Sequence, residues 1–192
     1  MADPLRLRRA ARADGEAMAA IYAPYVRETA ITFETEAPGP AEMAGRIADR
    51  LGAGLPWIVA EDGRGRMAGY AYAGRFHARH AYRFTVEPSV YLAGTAQGHG
   101  LGRRLYEHLF AILSEQGYRQ AVALIALPNP ASVALHERFG FRRTGTHERV
   151  GHKLGGWIDV GLWQRAVGAG DAPLTREAPQ PLEDSASWRA LA

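Results

Sequence analysis

The chain contains no cysteine, and Lys153 is the only lysine among its 23 basic residues. The first absence excludes disulfides, cysteine-ligated zinc or iron–sulfur centres, and a cysteine nucleophile. The second makes the positive charge almost wholly guanidinium. No apolar run approaches the roughly 20 residues that span a bilayer. The N-terminus, where acids and arginines precede an amphipathic stretch, lacks the apolar centre of a signal peptide. The expected location is the cytoplasm, with no membrane partner. A dense basic stripe is missing too. The pI of about 9.4 points toward nucleic acid, but the net charge is only +3, and beyond Arg6, Arg8, Arg9 and Arg12 the arginines are scattered among acids. Nucleic-acid footprints are usually denser, so no nucleic-acid partner is expected; a modest positive field suits a small polyanion equally well.

What the chain does have is an ordinary globular composition, 47% hydrophobic and 22% charged over 192 residues, enough for one core. A first strand is expected at Leu5–Arg8, then a helix capped by Asp14 with Met18, Ile21, Tyr22 and Tyr25 on one face, limited or bent at Pro24. A second helix carries Met43, Ile47 and Leu51 and ends at Gly52 and Gly54. From Trp57 the period changes to that of strands. Trp57–Glu61 and Met67–Ala73 form a hairpin around Asp62-Gly63-Arg64-Gly65. A third strand is expected from about Ala81 to Leu92, with a bulge at Pro88, which has no amide to donate. Leu101, Leu105, Leu109, Ile112 and Leu113 form the apolar stripe of a helix closed by Gly117. Ala121–Leu127 reads as a strand covered on both faces. Asn129-Pro130 supplies a cap and first-turn proline for a short helix ending near Gly140, and two more strands follow, Phe141–Glu148 and Trp157–Gln164. Residues 1–168 are therefore expected to form the domain, an α/β (α+β) arrangement, with 169–192, rich in Pro, Ala and polar residues, as a flexible tail.

Gln97-Gly98-His99-Gly100-Leu101-Gly102 lies between a strand and the clearest helix. Its glycines allow the backbone to turn sharply and converge several amide N–H groups at a helix start, an arrangement suited to phosphate; Arg103 and Arg104 follow. A P-loop requires Gly-Lys-Ser/Thr at the end, where this chain has Gly102-Arg103-Arg104. The dinucleotide fingerprint requires G-x-G-x-x-G, where this chain has G-x-G-x-G. A glycine-rich turn that merely begins a helix fits the spacing as well.

The run nevertheless resembles the Q/R-x-x-G-x-G/A pyrophosphate loop of the GNAT acetyltransferase superfamily. The resemblance continues through Thr85-Val86-Glu87, Ser89-Val90-Tyr91, Leu127-Pro128-Asn129, Ser132-Val133, Leu135-His136-Glu137, Gly155-Gly156-Trp157, Asp159-Val160-Gly161 and Trp163-Gln164. These segments are similar to the phosphinothricin/methionine sulfoximine N-acetyltransferase branch over roughly residues 5 to 165. The resemblance implies a GNAT fold: a mixed, mostly antiparallel sheet flanked by about four helices, with a splayed strand pair forming the cofactor cleft. It implies acetyl-CoA as co-substrate, no metal, a small amine as second substrate, and a homodimer.

Acetyl transfer to an amine needs a base, a donor for the oxyanion, and stabilisation of the departing thiolate. By the same resemblance Glu87 is the base, although a strand carboxylate at that position also reads as solvated or salt-bridged. Val90, Tyr91 and Leu92 offer backbone to the pantetheine arm and an oxyanion donor. Gln97 to Gly102 and Arg103 hold the pyrophosphate, and Asn129 adds cofactor contact to its capping role. His136 stands where many superfamily members have a tyrosine, as acid or as an orienter of Glu87 or water; a buried core histidine is the plainer alternative. Phe33, His77, Arg79 and Tyr82, with Glu87, match substrate-side positions, an arginine there suiting bidentate recognition of acidic groups. Phosphinothricin-specific members carry lysine where this chain has His77, a departure that keeps methionine sulfoximine and methionine sulfone open as substrates. His77 and His80 by themselves make no metal site. Acetylation of a peptide or protein N-terminus or of another amine such as a polyamine, and a non-catalytic CoA-binding sensor, are the alternatives.

Overall fold

A computed structural model describes residues 5–170 and 172–191. Its seven strands are β1 (Arg6–Arg9), β2 (Trp57–Glu61), β3 (Met67–Arg75), β4 (Thr85–Leu92), β5 (Gln120–Leu127), β6 (Arg142–Lys153) and β7 (Gly156–Ala166). They form one sheet in the order β1-β2-β3-β4-β5-β7-β6. Only β4 and β5 run parallel; the other neighbours are antiparallel. The helices are α1 (Gly15–Glu28), α2 (Pro40–Gly52), α3 (Leu101–Gln116), α4 (Pro130–Arg138) and a single turn, α5 (Ala186–Arg189).

Two apolar clusters fill the two faces. The expected stripe of α3, Leu101, Leu105, Leu109, Ile112 and Leu113, is fully buried and packs with Ala71, Ala73, Val86, Ala121, Ala123 and Ile125. On the opposite face Met18, Tyr22 and Val26 of α1 and Met43 and Ile47 of α2 close over Trp57, Val59 and Tyr70. Asp14 does not cap α1 through its side chain. It accepts from the Ala11 amide at 2.7 Å and pairs with Arg8 at 2.6 Å, tying the helix entry to β1. Pro24 lies inside α1, which continues past it to Glu28.

Two further expectations change. β5 is not covered on both faces: Ala121, Ala123 and Ile125 are buried, but Leu124 is 45% exposed because its face borders the open cleft. The segment 169–192 was expected as a flexible tail, yet its described part from Gln180 onward packs onto the core. Leu182, Trp188 and Leu191 join the α3 cluster. The Glu115 carboxylate accepts from the hydroxyls of Ser185 and Ser187, both at 2.6 Å, and Arg9 stacks 5.1 Å from the Trp188 ring. Three separated apolar anchors carry no period, so composition alone reads as disorder.

Candidate active site

The central sheet opens between β4 and β5. Their parallel pairing covers only Thr85↔Gln120 and Val86↔Ala121, after which β4 runs on to Leu92 and β5 to Leu127 without bonding. Pro88 sits where the pairing stops. The expected bulge is absent, since β4 pairs with β3 without a register shift, Ala73 opposite Pro88. Ladder alternation supplies the reason. The Ala73 amide bonds Pro56 on the β2 side and the Phe76 amide bonds Thr85, so amides at 87, 89 and 91 face β3 while those at 90 and 92 face the gap. The donor that Pro88 lacks is one that β5 would have received, so the proline ends β4–β5 pairing without disturbing β3.

The gap leads into a cavity of about 280 Å³. Its wall brings together Glu87, Val90, Tyr91, Leu92, Gln97, Gly98, Gly102, Asn129 and His136 of the expected set. Tyr25, Ile31, Tyr106, Ser132 and Leu135 also line it and were not anticipated. Tyr25 and Tyr106 sit in amphipathic helices, where an aromatic at helical spacing reads as core; no sequence signal separates the two uses.

At the mouth, Gly98 and Gly100 have φ of 78° and 76°, the left-handed region that glycine enters without strain. Gly100 opens α3 without a side-chain cap. The first amides of α3 therefore have no intrahelical acceptor, and the positive end of the helix dipole lies at the same point. Gln97 Nε2 donates to the Tyr25 hydroxyl at 3.0 Å, which in turn donates to the Leu92 carbonyl at 2.7 Å. The Leu92 amide approaches the same hydroxyl at 3.4 Å, so of the gap-facing amides Val90 is the one free of that contact. Arg103 is turned along the helix into an exposed 2.6 Å pair with Glu107 rather than into the loop. Such i,i+4 pairs contribute only about 0.3–0.5 kcal/mol. A backbone anion cradle at one end of a long cleft and an unpaired β-strand edge along its wall fit an extended ligand with a phosphate-bearing end.

Glu87 is half-buried, and that burial raises its pKa, with the charge of Arg50 opposing the shift. His136 is 4% exposed, and burial lowers its pKa, partly offset by the Ser132 carbonyl. That carbonyl, 2.8 Å from Nδ1, can only accept, so Nδ1 carries the proton. Nε2 is then the acceptor, and the wholly buried Tyr106 hydroxyl donates to it at 3.2 Å. Desolvation holds Tyr106 protonated well above the usual tyrosine range. Asn129 caps α4, accepting from the Ser132 amide at 3.2 Å while facing the cavity.

Of the expected substrate residues Glu87 lines this wall, whereas Phe33, His77, Arg79 and Tyr82 do not reach it. Phe33 is 40% exposed and lies over Gly151 of β6, where any side chain would collide with its ring. Ile31, two residues earlier, lines the cavity instead. His77, Arg79 and Tyr82 form a self-contained loop ahead of β4. The His77 ring lies 5.1 Å from that of Tyr82, and His77 Nδ1 accepts from the Arg79 amide at 3.2 Å. Among the described residues no group of three or more His, Cys, Asp or Glu has metal-binding geometry, and no helix is long and apolar enough to cross a membrane.

Comparison with known proteins places this geometry. The family described as acetyltransferase (GNAT) domain matches residues 7–162. A phosphinothricin N-acetyltransferase of Streptomyces viridochromogenes is 44% identical over 162 residues, covering 84% of this chain and 87% of that one. An L-methionine sulfoximine/L-methionine sulfone acetyltransferase of Pseudomonas aeruginosa is 38% identical, covering 82% and 92%. The crystal structure of a GNAT phosphinothricin acetyltransferase from Sinorhizobium meliloti in complex with AcCoA superposes with a TM-score of 0.88 at 40% identity, covering 92% and 96%. With the cleft, the cradle and these relatives in agreement, the chain belongs to the GNAT acetyltransferase family and is an acetyl-CoA-dependent N-acetyltransferase.

Proposed function

We propose that the enzyme acetylates the α-amine of a small amino acid or analogue of the methionine sulfoximine, methionine sulfone or phosphinothricin type, by direct attack with both substrates bound. The observation that carries this reading is the placing of Glu87. It is a half-buried carboxyl of raised pKa at the point where β4 and β5 separate, and the named relatives act on such substrates.

Acetyl-CoA supplies the acetyl group activated as a thioester. The cradle at Gly98–Gly102 and the edge of β4 from Val90 to Leu92 hold it along the cleft, with Asn129 on the opposite side. Glu87 takes the proton of the amine, which is otherwise mostly protonated at neutral pH. The Val90 amide donates to the acetyl oxygen as its negative charge grows. For His136 the geometry supports orientation over acid catalysis, because a neutral, Nδ1-protonated imidazole whose Nε2 already accepts from Tyr106 has no proton aimed into the cavity. With no cysteine in the chain, the commonest acyl-enzyme route is closed. Exposed Val150, Leu154 and Trp157 around the β6–β7 turn support a homodimer as the working assembly, and the cytoplasm as the place of work accords with the cysteine-free chain.

Initial rates of thiol release, measured against both substrates, test the order of events. Lines that intersect in the double-reciprocal plot, with no acetyl group left on protein incubated with acetyl-CoA alone, are expected. Parallel lines and a stable acetyl-protein would overturn direct attack.

A further inference from the structure

Arg50 is a guanidinium that neither the cofactor cleft nor the fold accounts for. It stands in the last turn of α2, with its Cζ 4.7 Å from the Tyr72 ring centroid and 5.9 Å from that of Trp57. Its tip comes down onto the sheet at Gly74. A Cβ there would lie 2.8 Å from Nη1, so a glycine makes the notch into which the guanidinium fits. Gly74 is directly opposite Glu87 in the β3–β4 ladder. Side chains of such a pair project from the same face, with Cβ positions about 5 Å apart. Arg50 therefore stands beside Glu87, on the face roofed by α1 and α2, and its charge acts on that carboxyl.

None of the ion pairs among the described residues includes Arg50. The contrast with its neighbour is informative. Arg46, one turn earlier, is clamped by Glu34 at 2.8 Å and Glu42 at 2.6 Å, and Arg8 is held by Asp14 at 2.6 Å and by Glu61. Arg50 is stacked on aromatic rings but is clamped in no ion pair, although it is half-buried and lies next to the residue assigned as base. A stacked guanidinium keeps its fork of donors in the ring plane and free for a planar carboxylate.

We propose that Arg50 binds the α-carboxylate of the amino-acid substrate and so aims the adjoining α-amine at Glu87. The assignment rests on the amino-acid reading above and deepens it. Carboxylate and amine share one carbon, and Arg50 and Glu87 share one cross-strand pair; the spacing on the enzyme corresponds to the spacing on the substrate. Arg79, in the exposed loop ahead of β4, is then left for the more distant acidic group of the side chain. Selection for α-amino acids over simple amines follows from Arg50.

The test pairs two ligands with two variants. Methionine sulfone and its α-carboxamide are titrated by calorimetry into the CoA-bound enzyme, and both are assayed for thiol release. In the wild type the carboxamide should bind about tenfold more weakly. Arg50→Gln should raise Kd and KM for methionine sulfone by about tenfold or more, change those for the carboxamide by less than about threefold, and leave KM for acetyl-CoA unaltered. Arg50→Lys, which keeps the charge and loses the fork, should recover part of the difference. Equal weakening of both ligands, or of neither, overturns the role of Arg50 while leaving amino-acid acetylation in place. Arg50-dependent binding with no thiol release overturns acetylation and keeps the carboxylate site. Absence of both binding and turnover in the wild type overturns both.

Discussion

Along the cleft nearly every wall residue comes from one stretch of chain, Glu87 to His136, and the groups proposed to hold the cofactor are largely backbone: the Val90 amide, the left-handed turn at Gly98 and Gly100, and the first amides of α3. The groups proposed for the amine side, Ile31 in the loop after α1 and Arg50 at the end of α2, come from separate segments and are side chains. Backbone donors are fixed by the sheet and the helix that contain them. Side chains on separate loops can be exchanged without disturbing the sheet. A cofactor common to a family and a substrate that differs among its members suit these two constructions.

The difference makes separate predictions for the two sides. The largest effect should come from Glu87, where the sides meet. Glu87→Gln should lower kcat by about 10²- to 10⁴-fold, the usual range for a lost general base, with KM for acetyl-CoA little changed. In the wild type, activity should climb with pH as Glu87 ionises, above its ordinary value of 4.5 because burial disfavours the anion; the variant should lose that limb. Stability should move the other way. The native state keeps a proton there that the unfolded chain releases, so wild-type stability declines as pH rises from 4.5 through the raised pKa, and Glu87→Gln should melt higher than wild type at neutral pH.

Away from both sides, Trp188→Ala should cost about 3–5 kcal/mol in denaturant unfolding, as expected for a buried aromatic, while KM for either substrate stays as it was. A flexible segment would lose nothing, so this variant decides whether the C-terminal segment belongs to the core. A smaller effect is expected at the cradle. Gly100 has open space around its Cα but a φ of 76°, so Gly100→Val adds about 1–2 kcal/mol of backbone strain without a clash. KM for acetyl-CoA should rise by about tenfold while KM for the amine is unmoved; parallel changes in both would erase the distinction between the two sides.

The same distinction explains what the amino-acid sequence disclosed. The α3 stripe, the glycine cluster, the Asn129 cap and the proline that ends β4–β5 pairing are local signals, each confined to a few consecutive residues. Tyr106 and Tyr25 were hidden because a tyrosine on a helix's buried face looks the same whether it fills a core or bonds the wall of a cavity. Ile31 in place of Phe33 depends on how the 29–36 loop is pinned, through Lys153 Nζ donating to the Thr32 carbonyl at 2.6 Å and Glu34 accepting from Arg46, contacts between residues far apart in the chain. Arg50 needed the sheet register before it had a neighbour in Glu87. The docking of Trp188 needed the α3 surface, which no pattern within residues 169–192 represents.

The most direct test is thiol release from acetyl-CoA on addition of methionine sulfoximine, methionine sulfone and phosphinothricin in turn. Release that saturates with at least one of them, and that is lost in Glu87→Gln, is the expected result. Tight acetyl-CoA binding in calorimetry with no thiol release from these or any other amine would contradict it, and would leave a CoA-binding module in place of an enzyme.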